Sequence, residues 1–367
     1  MKTIKVGSDF SGVGAFNQAL NKLGIKYDEL FACEMDKYAR ETFIYNYGEP
    51  KYYPFDVYNR EIPSESLDIY MTSPPCQAFS LAGQRLGKND KRGILFFNSH
   101  EFIETNKPRY FIFENVKGLL SENNGKTFNE WVNMLGGKSI NGVPIIFPHE
   151  QSVPYHLYWQ VLNAKEHGVP QNRERVFLIG IRDDKDNNFT FPVKEHLTKR
   201  LLDLLENNVD EKYYLSDKKI EYLLRTKGTT FSVNANILNQ SLPNESRTIQ
   251  SGYYKCARDA QFVNVKSATA KGYEKANLGD SINFSVLNSK TRRGRVGKQL
   301  AQTLDTTCNQ ATIDKGKIRR LTPRECFRLM DFPETFNWPV SDSQAYKQAG
   351  NSIVVNVLCK IIKKFNL

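Results

Sequence analysis

The feature that most constrains this chain is a rhythm in its first half, where short apolar runs alternate with amphipathic stretches. The apolar runs predict strands at 4–10, 29–34, 67–72, 110–114, 156–162 and 176–181. Helical patterns lie between them at 15–23, 37–47, 94–105 and 127–135. Strand–helix alternation of this kind implies an α/β fold: an open, mainly parallel sheet with helices on both faces. Such sheets bind ligands beyond the carboxyl ends of their strands, so chemistry is expected at those ends.

The rhythm breaks at Asp183-Asp184-Lys185-Asp186-Asn187-Asn188, a charged polar linker. We read 1–185 as one domain, 186–317 as a smaller, irregular, mainly β and loop domain, and 318–367 as a return to the first. Between Arg247 and Gln299 the chain carries eleven Lys and Arg against three Asp and Glu. That net of +8 is most of the chain's +11. The basic residues alternate with Tyr253, Tyr254, Phe262, Tyr273 and Phe284 and with many small polar residues. A solvated basic face would need no such mixture, whereas phosphate contacts combined with base-edge hydrogen bonds would. The return is marked by Leu321-Thr322-Pro323-Arg324-Glu325. There Thr322 can cap a helix, Pro323 suits its first position and Glu325 closes a capping box. Residues 352–364 read as an amphipathic helix.

Other classes are excluded by simple counts. No apolar run approaches the ~18 residues of a membrane helix. The first residues lack the apolar core of a signal peptide, so a cytoplasmic protein is expected. The six cysteines contain no C-x-x-C pair and the five histidines no H-x-x-x-H pattern. A zinc ribbon or disulfide framework is therefore not expected, nor any metal. Five of the cysteines read as free thiols in or near the core.

The sixth, Cys76, follows Ser73-Pro74-Pro75 at a predicted strand end and precedes a loop rich in Gly, Lys and Arg, 81–93. A nucleophilic thiolate has to project from a fixed point into an open site, and a rigid Pro-Pro supplies that point. Phe10-Ser11-Gly12-Val13-Gly14 lies between the first strand and helix, where a Gly-rich turn lets backbone approach a ligand. Glu34 closes the second strand, about twenty residues on, where a carboxylate can take both ribose hydroxyls. Asp56 is expected at the third strand end, within reach of an adenine amino group. Glu114-Asn115-Val116 ends the 110–114 strand. In Gln171-Asn172-Arg173-Glu174-Arg175, Arg175 enters a strand and could grip a carboxylate or phosphate.

In type, order and spacing these motifs resemble the DNA (cytosine-5) methyltransferases of the bacterial modification type. Two further motifs, Arg320–Glu325 and Gln348-Ala349-Gly350-Asn351-Ser352, complete the resemblance. It covers 1–185 and 318–367 well, and the middle by position only. It implies a Rossmann-like S-adenosylmethionine-dependent methyltransferase sheet with 186–317 as target-recognition domain. It implies Cys76 as nucleophile and Glu114 as the acid that protonates the ring, with Arg173 and Arg175 holding the base and Glu114. Phe10, Gly12, Gly14, Glu34, Met35, Asp56, Pro75, Leu95, Asn351 and Ser352 would line the cofactor pocket, which releases S-adenosylhomocysteine. The 81–93 loop, with Gln84 and Arg85, would close over a flipped base. Thr303-Leu304, or else Thr248-Ile249, would mark the recognition region, and Arg292, Arg293 and Arg295 would read guanine or hold phosphate.

The chain departs from the family pattern in three places. The acidic residue usual two before the aromatic of the first motif is Ser8, with Asp9 adjacent. Ala15 replaces the last glycine, and Met35 stands where a tryptophan often stacks on adenine. The implied partners are double-stranded DNA and a cognate restriction endonuclease. A monomer in the cytoplasm, associated with the nucleoid through DNA, is expected. The alternatives are a tRNA cytosine-5 methyltransferase on the same fold, against which the long basic insert argues, and a non-catalytic DNA-binding protein, which leaves Cys76 and Glu114 unexplained. A dinucleotide dehydrogenase, suggested by the Gly turn alone, explains neither Pro-Pro-Cys nor the late motifs.

Overall fold

The computed structural model describes residues 3–75, 94–184, 188–223, 262–286, 289–314 and 317–367. The first half builds one eight-stranded sheet. Four parallel strands form one half of it: β1 (Ile4–Asp9), β2 (Tyr27–Cys33), β3 (Ile69–Thr72) and β4 (Tyr110–Val116), in the order β2-β1-β3-β4. Helices α1 (Ala15–Lys22), α2 (Lys37–Tyr47) and α3 (Ile94–Asn106) make the crossovers, and α4 (Lys126–Leu135) follows β4. Every strand and helix predicted before residue 182 is present, most with ends within about two residues of the pattern.

The far side of the sheet is mixed. Two short strands, β5 (Ser139–Ile140) and then β6 (Val143–Pro144), extend the sheet outward from β7 (His156–Asn163). After a two-residue strand β8 (Gln171–Asn172), β9 (Glu174–Ile181) inserts between β7 and β4, antiparallel to both. The reason is connection length. The link from β7 to β9 is about ten residues, too short for the crossover that a parallel pair needs.

Successive side chains of each central strand face opposite layers, as a sheet covered on both sides requires. Tyr110 and Ile112 of β4 join Ile69, Met71, Phe177 and Ile179 in one core, while Phe111 and Phe113 join Tyr70, Val176 and Leu178 in the other. The second core is covered by α3 and α4, where Phe96 stacks on Trp131. The first is covered by α1 and by the end of the chain: α6 (Pro323–Leu329), α7 (Asp342–Asn351) and α8 (Val355–Ile362). The α8 helix packs on α1, and Phe365 beyond it stacks on Tyr110 at a centroid distance of 4.3 Å. The amphipathic pattern read at 352–364 thus begins three residues early. Ser352 caps the carboxyl end of α7 instead. Thr322, Pro323 and Glu325 form the expected capping box at the start of α6.

The smaller unit has its own interior. Leu223, Val265, Ala276, Ile282, Ala311, Ile313 and Ile318 gather there, drawn from α5 (Asp217–Leu223) and from short strands. Those strands are β10 (Phe262–Lys266), β11 (Tyr273–Asn277), β12 (Ser281–Asn283), β13 (Val296–Gly297), β15 (Gln310–Asp314) and β16 (Lys317–Arg320). Its edges differ from the sequence boundaries. Phe189 and Leu201 pack into the first core, so the separate interior begins near Leu215. At the other end β16 is still paired with β15. Strand β14 (Ala301–Gln302) pairs in parallel with β8 of the first unit while its Gln302 side chain and backbone stay bonded to Asn283 and Gln310 of the small one. Among the described residues no helix is long and apolar enough to cross a membrane.

Candidate active site at the carboxyl edge of the sheet

The chain order reverses between β1 and β3, from which β2 and β4 lie on opposite sides. Open α/β sheets bind ligands at this switch point. The turn after β1 is shaped for such an approach. Phe10, Gly12 and Gly14 all have left-handed φ, at 57°, 54° and 82°. A Cβ at Gly12 would meet no atom within 4 Å, so the turn presents bare backbone to open space. At Gly14 the reason for glycine is different, because a Cβ would lie 2.3 Å from the Tyr47 ring.

Glu34 locks this turn to the end of β2. Its carboxylate accepts from the amides of Gly12 and Asp36, both at 2.8 Å. Burial raises its pKa, opposed by those amide bonds. Met35 and Phe55 are large apolar side chains left exposed nearby in the chain. Asp56 is not on a strand end, because β3 begins only at Ile69. The segment before it, Tyr52 to Pro54, runs beside β2 and accepts from the amides of Ala32 and Glu34. Arg40 of α2 ties this segment down through the carbonyls of Glu34, Tyr53 and Pro54. Asp56 therefore follows an irregular extra edge of the sheet, with an exposed carboxylate accepting from the Tyr58 amide. Leu95, in the first turn of α3, packs against the second core.

The neighbouring strand end carries the acid. Glu114 is 7 % exposed and its Oε1 lies 3.1 Å from Nε of Arg175, across the β4–β9 pair. Burial raises the Glu114 pKa, while Arg175 and then Arg173 pull it down, and burial prevails. Asn115, quoted in the motif but given no task there, donates from Nδ2 to the Pro74 carbonyl at 3.1 Å. It thereby fixes the approach to Cys76 against β4, with Pro75 exposed beyond it. Cys76 itself, Gln84, Arg85 and the 81–93 loop lie outside the described residues, as do Thr248-Ile249 and Cys256. Cys33, Cys308, Cys326 and Cys359 are free and buried, in line with the expectation for them.

Arg173 has a different job from the one expected. It is 3 % exposed, and its guanidinium donates to the carbonyls of Leu304, Gly350 and Ser352 at 3.2, 2.9 and 2.8 Å. Burial, then Arg175, lowers its pKa to about 9. Those three bonds staple the segment after β14 to the end of α7. Gly350 permits the close approach, since a Cβ there would lie 2.4 Å from the Asp305 carbonyl. Thr303 donates to the Asn172 carbonyl at 2.7 Å, and Leu304 is buried in the first core with its amide on Gln171. Thr303-Leu304 is thus the seam between the two units, and Leu304 presents nothing to a ligand. Arg295 is likewise turned inward. It is 1 % exposed, and its guanidinium is held by the carbonyls of Asn283, Ser285 and Val286. Arg292 and Arg293 stay on the surface, where Arg293 donates to the Ala268 carbonyl. Asn351 is exposed, and Lys347 one turn earlier reaches Asp36 at 2.6 Å, bringing this helix end beside the end of β2.

Comparison with known proteins agrees with this geometry. The family described as C-5 cytosine-specific DNA methylase matches residues 4–366. The type II methyltransferase M.HhaI of Haemophilus parahaemolyticus is 31% identical over 95% of this chain and 90% of that protein. The orphan methyltransferase M.SPRI of Bacillus phage SPR is also 31% identical, over 99% and 98%. The crystal structure of the S. pombe Dnmt2 methyltransferase superposes with a TM-score of 0.56 at 18% identity, covering 98% and 97% of the two chains. An Entamoeba histolytica methyltransferase, EhMeth, gives 0.59 at 15%, covering 99% and 98%. A match along nearly the full length places the chain in the family: it is a C-5 cytosine-specific DNA methyltransferase, an enzyme that methylates carbon 5 of cytosine in DNA.

Proposed function

We propose that the two neighbouring strand ends divide the reaction between them. The observation that carries this reading is the buried Glu114–Arg175 pair beside an asparagine that pins the Pro74 carbonyl, two residues before Cys76. On the β1–β2 side, Phe10, Gly12, Gly14, Glu34, Met35, Asp56, Pro75, Leu95, Asn351 and Ser352 hold S-adenosylmethionine. The fit rests on the open backbone at Gly12, the Glu34 carboxylate at the strand end and the exposed apolar Met35. When bound, S-adenosylmethionine supplies an electrophilic methyl group and leaves as S-adenosylhomocysteine.

On the β3–β4 side the Cys76 thiolate adds to C6 of a cytosine flipped out of the duplex. Glu114 delivers its proton to N3 as charge gathers there, which makes C5 nucleophilic. Arg175 orients the Glu114 carboxyl. After methylation the C5 proton leaves to a base, the sulfur–C6 bond breaks to release the thiolate, and N3 returns its proton to Glu114, restoring the ring. Arg292 and Arg293 of the small unit contact DNA, with phosphate as the sequence-tolerant partner. The enzyme works in the cytoplasm as a monomer on duplex DNA. Relatives are named as type II in some cases and orphan in others, so a cognate endonuclease is sought by plasmid challenge in source cells.

The test is a duplex carrying 5-fluorocytosine at the target, offered with S-adenosylmethionine. A covalent adduct on the peptide containing Cys76 is expected, and is lost in Cys76→Ser. No adduct at position 76 overturns the assignment. Bisulfite sequencing of DNA from expressing cells locates the target, and labelling of tRNA with no labelling of duplex DNA overturns the choice of substrate.

A further inference from the structure

Directly beneath the turn at 10–14 lies a buried polar cluster that the reaction does not use. Asp9, the last residue of β1, is 1 % exposed. Arg60, from the long connector between α2 and β3, grips it: Nε lies 2.8 and 2.9 Å from the two carboxylate oxygens, and Nη2 lies 2.8 Å from Oδ2. Tyr70 of β3 adds its hydroxyl to Oδ2 at 2.6 Å. Arg60 also donates to the Asn98 carbonyl on α3 at 3.1 Å, and its guanidinium lies over the ring of Phe102 from the same helix. Tyr70 stacks on that ring at 4.1 Å. Ser8, one residue earlier, is buried with no hydrogen-bond partner for its hydroxyl among the described residues, whereas the carboxylate at position 9 is bonded to Arg60 and Tyr70.

Each partner belongs to a different wall of the proposed cofactor pocket. Asp9 leads into Phe10 and Gly12. Arg60 lies four residues beyond Asp56 on the same connector. Asn98 lies one turn beyond Leu95 on α3. We infer that the Asp9–Arg60–Tyr70 cluster is a positioning device: it sets the spacing of the turn, the connector and the helix that hold the methyl donor, and so controls cofactor affinity. The inference rests on the pocket reading given above. A buried ion pair is poor evidence of a purely stabilising role, because a well-packed apolar replacement often matches or exceeds its stability. What apolar side chains cannot reproduce is directional bonding that ties β1, the connector, β3 and α3 together.

The cluster is tested by cofactor binding and steady-state kinetics on the whole protein. Asp9→Asn is expected to raise the KM and Kd for S-adenosylmethionine by about tenfold or more, leaving the KM for DNA and the kcat at saturating cofactor within about threefold. Tyr70→Phe, which keeps the ion pair, should show a smaller shift in the same direction and covers the case in which Asp9→Asn fails to fold. The double variant Asp9→Leu with Arg60→Leu should regain thermal stability lost in Asp9→Asn but not cofactor affinity. Unchanged cofactor affinity in folded Asp9→Asn or Tyr70→Phe overturns the inference. So does a double variant that recovers stability and affinity together. Gly12→Val separates this failure from that of the pocket: if it leaves cofactor affinity intact the pocket reading fails, whereas a loss there without one in Asp9→Asn removes only the positioning role.

Discussion

Asp9 and Glu114 are buried carboxylates on strand ends of one sheet edge, each facing an arginine, and the structure treats them in opposite ways. Asp9 has four donor contacts from Arg60 and Tyr70. Among the described residues Glu114 has one such contact, at 3.1 Å to Nε of an arginine whose Nη1 is spent on the Glu174 carbonyl. Wrapped by donors, a carboxylate is a fixed tie. Buried where desolvation outweighs its arginines, as at Glu114, it can hold and give up a proton. The lesson is that environment, more than residue type, divides structural from chemical acids.

The comparison breaks most completely at Glu114. Glu114→Gln keeps the shape but has no proton to give, and should lower kcat for methyl transfer by roughly 10²–10⁴ with cofactor affinity unchanged. A rate within about tenfold of wild type would show that the acid lies elsewhere. A pH profile sharpens the point. Glu114 acts in its protonated form, and its raised pKa extends that form to higher pH, so activity should fall as pH rises through it. Arg175 pulls that pKa down. Arg175→Gln should therefore slow the reaction by about tenfold or more and also move the alkaline limb upward. A limb that stays put would mean that the pair is not coupled as the geometry implies.

The smallest effect concerns a third carboxylate. Glu29, in β2, accepts from Asn17 at 2.9 Å, and burial pushes its pKa up from the ordinary 4.5 to about 7. The folded protein holds this proton more tightly than the unfolded chain does. Stability should therefore be greatest below the ordinary value and decline as pH rises toward about 7. Glu29→Gln should flatten that decline and stabilise the protein in mildly alkaline buffer by on the order of 1–3 kcal/mol. Parallel urea-unfolding series for the two proteins check it, and equal slopes with pH would refute it.

Much of this was legible because a sheet covered on both faces writes its pattern locally. Runs such as Tyr110-Phe111-Ile112-Phe113 supply both layers at once, and caps such as Thr322 announce helix starts. The catalytic motifs were legible because turns and strand ends demand particular residues. Direction was less so: β9 reads like any parallel strand, and only the short link before it reverses it. Arg295, Leu304 and Arg173 were read as facing ligand because a charge or a motif says nothing of which way a side chain turns. Arg173 and Leu304 instead meet groups brought from far along the chain, and Arg295 folds back onto the carbonyls of the preceding loop. Arg60 carries no local signal at all, since its partner is fifty-one residues away. The structure alone brings it to Asp9.

The placement of α8 has a consequence for how the molecule is made. A ribosome releases all the central strands long before residues 355–365 that roof one side of them. Until then Tyr110 and its neighbours lack their cover, and the nascent half-enzyme exposes an apolar plate that invites chaperones or misassembly. Loss of that roof alone, by a stop just before residue 355, is therefore expected to cost solubility as well as activity.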